Sequence, residues 1–315
     1  MANEHSRSRE DSTRIMPTVS AVIPVYNREH TILRAIESIL SQDHPVTEVI
    51  VVDDASTDRT CSVVKSIQDS RIRLIRHTVN RNGAAARNTG LQQATGALVT
   101  FLDSDDVWLP GKLRSQLNAF LQHESKHTDI VLHGKSLVVG PNRTVVVPRR
   151  APRSGEDLAT YFLARGGNFA LGSVLLRTAV AQSVQFDERM HSFQELDFGI
   201  RLERSGVRPV FVDIMCQEMN RNPADSTHVS STPRYDHLLS WAQRNRSQLT
   251  LRSYASFMAH FVGFRVIAAN RRLYGAFLVA RGIVLGVVSP TAAAAAVGRL
   301  VLPLRLYERI RRLAR

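Results

Sequence analysis

The chain has 315 residues, of which 43% are hydrophobic and 22% are charged. This composition can bury a substantial core, so it excludes a disordered or collagen-like chain. The two cysteines, Cys61 and Cys216, lie far apart without metal-ligand spacing, which argues against a disulfide scaffold and a structural zinc site. Residues 1–14 are polar, so we expect a disordered segment over residues 1–16, no secretory signal and a cytoplasmic protein.

The positive charge is concentrated in the C-terminal part of the chain. The formal net charge is +13. Residues 234–315 contain 14 arginines, no lysine and two acids, a net charge of +12, which leaves +1 for residues 1–233. The sequence therefore divides into a nearly neutral body and an arginine-rich end, and the two need separate explanations.

Strand-like and helix-like segments alternate along the body. Continuous apolar runs predict buried strands over residues 19–25, 49–52, 72–75, 97–102 and 129–134. Helical spacing predicts a helix after each of the first four strands, over about 32–40, 58–67, 84–94 and 110–120. Beyond them the pattern predicts a hairpin turning at 140–142, a strand at 173–177, and helices over 156–165 and 192–205. The alternation predicts an α/β fold with a mostly parallel, Rossmann-like sheet flanked by helices.

Acidic side chains follow two of the predicted strands, at the edge where open α/β sheets bind ligands. One group is Asp53-Asp54, and the other is the run Asp103-Ser104-Asp105-Asp106. If the strand geometry continues, Asp103 and Asp105 share a face and repel each other unless a cation or a proton lies between them. Mg²⁺ and Mn²⁺ bind one or two carboxylates together with substrate phosphates, so the run fits a metal–diphosphate site. A solvated loop that caps the next helix is the alternative.

Four segments extend this interpretation to a family. They are VSAVIPVYNRE, EVIVVDDASTD, NRNGAAARNTG and TFLDSDDVWLPGKL. Their order and spacing resemble those of the family-2 glycosyltransferases, which are inverting nucleotide-sugar enzymes of the GT-A fold. The resemblance covers roughly residues 17–230 and implies a GT-A domain over 17–233. It also implies a sugar transferred from a nucleotide donor, most often UDP-linked, to a glycan or lipid-linked acceptor.

The resemblance assigns roles to individual side chains. In such enzymes the nucleobase lies on the segment of Pro24, Tyr26 and Asn27. One of Asp53 and Asp54 accepts a hydrogen bond from the base, and we favour Asp54 because neighbouring strand residues face opposite ways. The remaining implied nucleotide-sugar contacts are the cation Arg87, the ribose ligand Asp103 and its neighbour Ser104. A surface position on a helix is the alternative for Arg87.

The implied metal is Mn²⁺ or Mg²⁺. Asp105 would bind it, with Asp103 beside it, and His228 is a further candidate for the metal or the diphosphate. Asn168, Gly172 and Ser173 fall where such enzymes form part of the acceptor side. A glycine-rich turn is the alternative for these three residues, and a surface position is the alternative for His228.

An inverting transfer needs one general base within hydrogen-bond reach of the acceptor hydroxyl. In related enzymes the base is the Asp of a Glu-Asp pair before a helix that carries an Arg. Alignment on Arg201 places Glu195 at the base position and Gln194 where Glu is usual, which departs from the family pattern. Asp197 is the alternative base, and an acid that merely stabilises the helix N-terminus is a further alternative.

The arginine-rich end, residues 234–315, predicts helices. Its longest apolar run, around 273–297, is interrupted by Arg281, Ser289 and Pro290, so we expect no transmembrane helix. Arginines mixed with apolar residues suit helices at an anionic membrane surface, so we expect peripheral attachment to the inner face of the cell membrane. A helical bundle packed on the catalytic domain is the alternative, and we expect no nucleic-acid partner.

Two other functions remain open from the sequence. A sugar nucleotidyltransferase is disfavoured because the chain opens with VIPVYNRE and not with a glycine-rich loop followed by Arg and Lys. A catalytically inactive nucleotide-sugar-binding protein is disfavoured because Asp54, Arg87, Asp103 and Asp105 are all present, although Gln194 departs from the pattern.

Overall fold

A computed structural model describes residues 16–124, 129–165, 167–221, 236–263, 266 and 271–288. Its strands are β1 (Val19–Val25), β2 (Glu48–Asp53), β3 (Ile72–Arg76), β4 (Leu98–Phe101), β5 (Val107–Trp108), β6 (Ile130–Val139), β7 (Thr144–Val147), β8 (Leu175–Arg177) and β9 (Arg208–Asn220). Its helices are α1 (Ile32–Leu40), α2 (Thr60–Ser66), α3 (Gly83–Gln93), α4 (Lys112–His123), α5 (Leu158–Arg165), α6 (Thr178–Val184), α7 (Gln194–Arg204), α8 (Asp236–Arg244), α9 (Leu251–Phe257) and α10 (Arg272–Val284). A π-helical segment, Met258–Gly263, continues α9.

The described strands form one nine-stranded sheet in the order β3-β2-β1-β4-β8-β6-β9-β5, with β7 paired to β6. The first four strands in this order are parallel to one another. β8 is antiparallel to both of its neighbours, whereas β6 and β9 are parallel. The alternation of strands and helices along the body therefore predicted the α/β class correctly.

The sheet is covered on both faces, as the continuous apolar runs predict. Ala21 and Ile23 of β1 belong to the core cluster that contains Ile36 of α1. Val22, which points the other way, belongs to the cluster of α3. α3 lies so close to β1 that a Cβ added to Gly90 would stand 2.3 Å from a methyl carbon of Val22, so this contact requires glycine.

The longest strand, β9, was not among the predicted elements. Its sequence, RPVFVDIMCQEMN, begins with Arg208-Pro209 and carries Asp213 and Glu218, so it contains no long apolar run. Pairing with β6 on one side and with β5 on the other places it in the sheet. β9 therefore forms because it pairs with distant strands, and not because its own sequence is strongly hydrophobic.

The C-terminal helices share the core of the body, residues 16–221. Leu238 and Trp241 of α8 and Phe257 of α9 belong to the same cluster as Leu196 and Phe198 of α7. The core thus continues across residue 234, where the charge of the sequence changes. No helix within the described residues is both long enough and apolar enough to cross a membrane.

Candidate active site

A cavity of about 550 Å³ lies at the carboxyl ends of β1, β2 and β4. Ligands bind at this edge in open α/β sheets. The predicted site residues that line it are Pro24, Tyr26, Asn27, Asp54, Arg87, Asp103, Ser104, Asp105 and Glu195. Asp53 and Asp197 do not line the cavity, and His228 lies outside the described residues.

Asp54 fixes the segment that follows β3 against the cavity. Its carboxylate accepts hydrogen bonds from the backbone N–H groups of Arg81 (2.9 Å) and Asn82 (2.8 Å). One carboxylate oxygen also lies 2.7 Å from Nδ1 of His77. Asp54 is therefore at the cavity, and it organises the loop that forms one of the cavity walls.

The end of β1 is tied to the loop after β2. The backbone N–H of Asn27 donates to Oγ of Ser56 (2.9 Å), and Oδ1 of Asn27 accepts from the backbone N–H of Thr57 (2.8 Å). Asp53 is fully buried beneath this loop and accepts from the backbone N–H of Ser56. The bonds hold Asn27 in the left-handed region (φ 51°) and leave Tyr26 43% exposed at the rim.

Arg87 joins two sides of the cavity. Nη2 donates to Asp103 and Nη1 donates to Oε1 of Gln194, each at 2.5 Å. Nε2 of Gln194 in turn donates to the backbone carbonyl of Met190 (2.7 Å). An amide can make both bonds, whereas a glutamate carboxylate has no hydrogen to donate to Met190. Gln194 thus makes one bond that the glutamate usual at this position could not make.

The turn between β4 and β5 carries three carboxylates. Asp105 lies 3.8 Å from the guanidinium of Arg28, and the buried Asp106 accepts from the backbone N–H of Asn220 (3.1 Å). Burial, together with the charges of Asp103 and Asp105, raises the pKa of Asp106 well above its usual value. Within the described ranges, no cluster of three or more His, Cys, Asp or Glu residues is placed to hold a metal by itself. Asp103 and Asp105 are carboxylates, a ligand type that hard divalent cations bind together with substrate phosphates and water.

The two candidate bases occupy different environments at the start of α7. Glu195 is half-buried in the cavity wall. Burial raises its pKa, and the charge of Asp103 raises it further. Asp197 is buried, and its two oxygens accept from Nε of Arg201 (2.7 Å) and from Nε1 of Trp241 (2.6 Å). Asp197 thus fastens α8 to α7, and Glu195 is the acid that reaches the cavity.

Comparison with known proteins agrees with this geometry. The sequence model of the family described as Glycosyl transferase family 2 matches residues 20–163. An uncharacterized glycosyltransferase of Haemophilus influenzae is 43% identical over 178 residues, which are 56% of this chain and 68% of the relative. The chain belongs to glycosyl transferase family 2. It is an enzyme that transfers a sugar, and the family predicted from the four sequence motifs is confirmed.

Two further similarities concern proteins with named substrates. The Escherichia coli UDP-Glc:alpha-D-GlcNAc-diphosphoundecaprenol beta-1,3-glucosyltransferase WfgD is 43% identical over 105 residues, which are 33% of this chain and 42% of WfgD. The crystal structure of S. aureus TarS 1–349 in complex with UDP-GlcNAc has a TM-score of 0.59 at 23% identity and covers 90% of this chain and 84% of that chain. At this identity the likeness shows the fold alone, and it confirms the GT-A type of this glycosyltransferase.

Some residues of the glycosyltransferase cavity were not predicted from the sequence. Asn82 and Gly83 line it at the start of α3, and Arg28 lines it beside Asn27. The side chain of Asn82 accepts from the backbone N–H of Ala84 (2.8 Å), so the N-cap signal Asn-Gly could have found this position. Gly83 leaves room for Arg87, because an added Cβ would lie 3.1 Å from Nη1 of that guanidinium.

Proposed function

We propose that this enzyme transfers a sugar, with inversion, from a UDP-sugar to a lipid-linked glycan acceptor. The observation that carries the proposal is that Asp54, Arg87, Asp103, Asp105 and Glu195 line one cavity. The named donor and acceptor of WfgD support the same substrate classes, as does the UDP-GlcNAc of the TarS complex.

The diphosphate of the donor would lie among positive groups. Arg28 and Arg87 both line the cavity, and so does Gly83 at the N-terminus of α3. Helix N-termini present unpaired N–H groups and a positive dipole end to phosphates. Tyr26, partly exposed at the rim, offers a ring on which the nucleobase can stack.

A divalent cation, Mn²⁺ or Mg²⁺, belongs to this proposal. Asp105, with Asp103 beside it, would hold the cation. When bound, such an ion neutralises negative charge on a leaving diphosphate. Arg87 donates a hydrogen bond of 2.5 Å to Asp103. This bond holds the Asp103 carboxylate in place at the edge of the cavity.

Glu195 is the general base of the proposed reaction. The acceptor oxygen forms a bond to the anomeric carbon of the donor sugar as the bond from that carbon to the diphosphate oxygen breaks. The proton of the acceptor hydroxyl passes to the carboxylate of Glu195, and UDP leaves with the electron pair. The raised pKa of Glu195 suits this role, because a stronger base takes the proton more readily.

The proposal extends to an anionic membrane surface at the inner face of the cell membrane. A lipid-linked acceptor resides at such a surface. α10 exposes the apolar side chains of Leu273, Phe277 and Val284, and residues 237–288 contain no acid. Basic residues near an anionic surface and an exposed apolar helix face both favour peripheral attachment.

The substitution Glu195→Gln tests the proposed base. It preserves the shape of the side chain and removes its basicity, so we expect kcat for UDP release from a UDP-sugar and acceptor to fall at least about 100-fold. UDP binding, measured by titration calorimetry, should change little. Glu37→Gln makes the same change at an exposed position of α1 and should behave like the wild type. Near-normal turnover by Glu195→Gln would reject the assignment.

A further inference from the structure

Glu195 depends on the backbone of α7 for its place in the cavity. No side chain in the described part of the chain donates a hydrogen bond to its carboxylate. Its neighbour Gln194 is held from one side, through Arg87 and the backbone carbonyl of Met190. A general base must lie within hydrogen-bond reach of the hydroxyl that it deprotonates. The elements that fix the first turn of α7 therefore decide whether Glu195 can reach that hydroxyl.

The first turn of α7 is not stabilised by its own sequence. Phe193, the N-cap residue, makes no side-chain hydrogen bond to the helix, whereas Ser, Thr, Asp or Asn would satisfy one of the free N–H groups. Phe193 also lies in the left-handed region, with φ 59° and ψ 30°, where a bulky side chain is strained. Such a conformation persists only where the surrounding structure holds it. The start of α7 thus needs support from other elements.

The helix α8 contacts this part of the chain on both sides of Glu195. Nε2 of His237 lies 2.8 Å from Oγ of Ser192. Nε1 of Trp241 donates to Oδ1 of Asp197 over 2.6 Å, and both of these groups are buried. His237 and Trp241 are one helical turn apart, so they lie on the same face of α8. That face therefore contacts the chain both before and after the proposed base.

Aromatic rings extend this support to the π-helical segment. The ring of Phe261 packs edge-on against the strained Phe193, with 4.6 Å between the ring centroids. The ring of Phe257 lies 5.3 Å from that of Phe261 and 4.7 Å from that of Trp241. Edge-to-face pairs stabilise a structure beyond the apolar area that they bury. The contacts thus run from Phe193, just before α7, through the C-terminal elements to Trp241.

We propose that the C-terminal helices position Glu195: Trp241 and His237, with Phe261, hold the first turn of α7 so that the carboxylate meets the acceptor hydroxyl. This inference rests on the proposed function, in which Glu195 is the general base. Trp241, His237 and Phe261 do not line the cavity of about 550 Å³, so they are positioning residues and do not bind substrate there. The arginine-rich end of the chain then takes part in the reaction through the geometry of α7.

Trp241→Phe tests the proposal directly, because it keeps an aromatic ring in the core and removes the N–H donor to Asp197. The assay follows radiolabelled sugar transferred from UDP-glucose or UDP-GlcNAc to a GlcNAc diphosphate on an undecyl chain. We expect kcat to fall about tenfold, since a displacement of about 1 Å can cost up to about 100-fold. KM for the UDP-sugar should change less than about twofold, because Arg87 and Asp103 keep their contacts.

The same substitution made in Glu195→Gln separates positioning from a general loss of structure. If Trp241 acts through Glu195, Trp241→Phe should lower kcat less than about twofold in that background, because residues that act as a unit are not additive. Ser253→Ala is the matched control. It removes a hydrogen bond between α9 and Thr160 of α5, away from Glu195, and should keep kcat within about twofold of the wild type.

His237→Ala is a second variant that leaves the core intact, because His237 is only half-buried. It removes the contact with Ser192 and should lower kcat about threefold at an unchanged KM for the UDP-sugar. It decides the question alone if Trp241→Phe does not fold.

Unchanged kcat in both Trp241→Phe and His237→Ala overturns the inference, and so does an equal loss with and without the Glu195 carboxylate. A raised KM for the UDP-sugar at unchanged kcat also overturns it. Near-normal turnover by Glu195→Gln, or no transfer from either donor by the wild type, instead rejects the proposed function, and this inference fails with it.

Discussion

Single residues at this site are selected by hydrogen-bonding capacity as well as by charge. Gln194, the first residue of α7, accepts a hydrogen bond from Arg87 and donates one to the carbonyl of Met190. Arg87 in turn donates to Asp103, so these bonds connect α7 to the Asp103 carboxylate. The family pattern predicts a carboxylate here, and the sequence alone shows only its loss. In the structure, Gln194 donates to the carbonyl of Met190, a bond that a glutamate carboxylate cannot make.

His133 is a buried residue whose ionisation opposes folding. It is fully buried among the rings of Tyr161, Phe169 and Phe211, and neither ring nitrogen has a hydrogen-bond partner within the described part of the chain. Burial lowers the pKa of His133 from 6.5 to about 4. Between these values the unfolded chain binds the proton and the folded chain does not. Stability is therefore lost as the pH falls from about 6.5 toward 4.

We predict that His133→Phe reduces this acid sensitivity. The free energy of unfolding, from urea titrations at pH 7 and pH 5, should fall by about 2 kcal/mol less in the variant than in the wild type. His123→Phe, at an exposed position at the end of α4, should leave the pH dependence unchanged. The same loss in His133→Phe as in the wild type would contradict a neutral buried imidazole.

At the scale of elements, the turn between β4 and β5 places Asp105 and Asp106 in different surroundings. Asp105 lies near Arg28 and faces the cavity, whereas Asp106 is buried and bonded to the backbone of Asn220. Asp106 therefore supports the turn, and Asp105 is the side chain that lines the cavity.

We predict that Asp105→Asn loses the contribution of Mn²⁺ to UDP binding. In titration calorimetry, Mn²⁺ should strengthen UDP binding to the wild type by about tenfold, as a shared cation between a carboxylate and a diphosphate requires. The variant should show little strengthening. Asp43→Asn changes an exposed carboxylate in the turn after α1 and should retain the full effect. Equal strengthening in Asp105→Asn and the wild type would rule out this ligand.

The elements that the sequence predicted well are those governed by local pattern. β1, β2 and β4 are continuous apolar runs, and the acids at their ends fall at one cavity because parallel strands end at one edge. The pairing of β9 and the contact of Asp197 with Trp241 join chain segments that are far apart in sequence. Local periodicity therefore does not predict either of them.

For the whole molecule, the charge of the sequence changes near residue 234, but the hydrophobic core continues across that point. Trp241 donates to Asp197 of α7, and Phe257 packs in the same core cluster. A chain that stops near residue 234 would lose these contacts and expose apolar surface of the body. Membrane attachment must therefore be tested with substitutions on the exposed face of α10 and not by truncation.

We predict that vesicles of phosphatidylglycerol carry the wild-type protein in flotation and that vesicles of phosphatidylcholine do not. Leu273, Phe277 and Val284 are 90%, 61% and 85% exposed, and their spacing places them on one face of α10, while Leu278 and Val279 hold the helix to the body. Replacing the three exposed residues together by serine should reduce flotation at least about tenfold and leave the melting temperature nearly unchanged, because little of their surface is buried in the fold.

Val79→Ser, at an exposed apolar position of the catalytic body, should float like the wild type. Undiminished flotation of the triple variant would exclude this face as the attachment surface, and equal behaviour on the two lipids would exclude attraction by anionic charge.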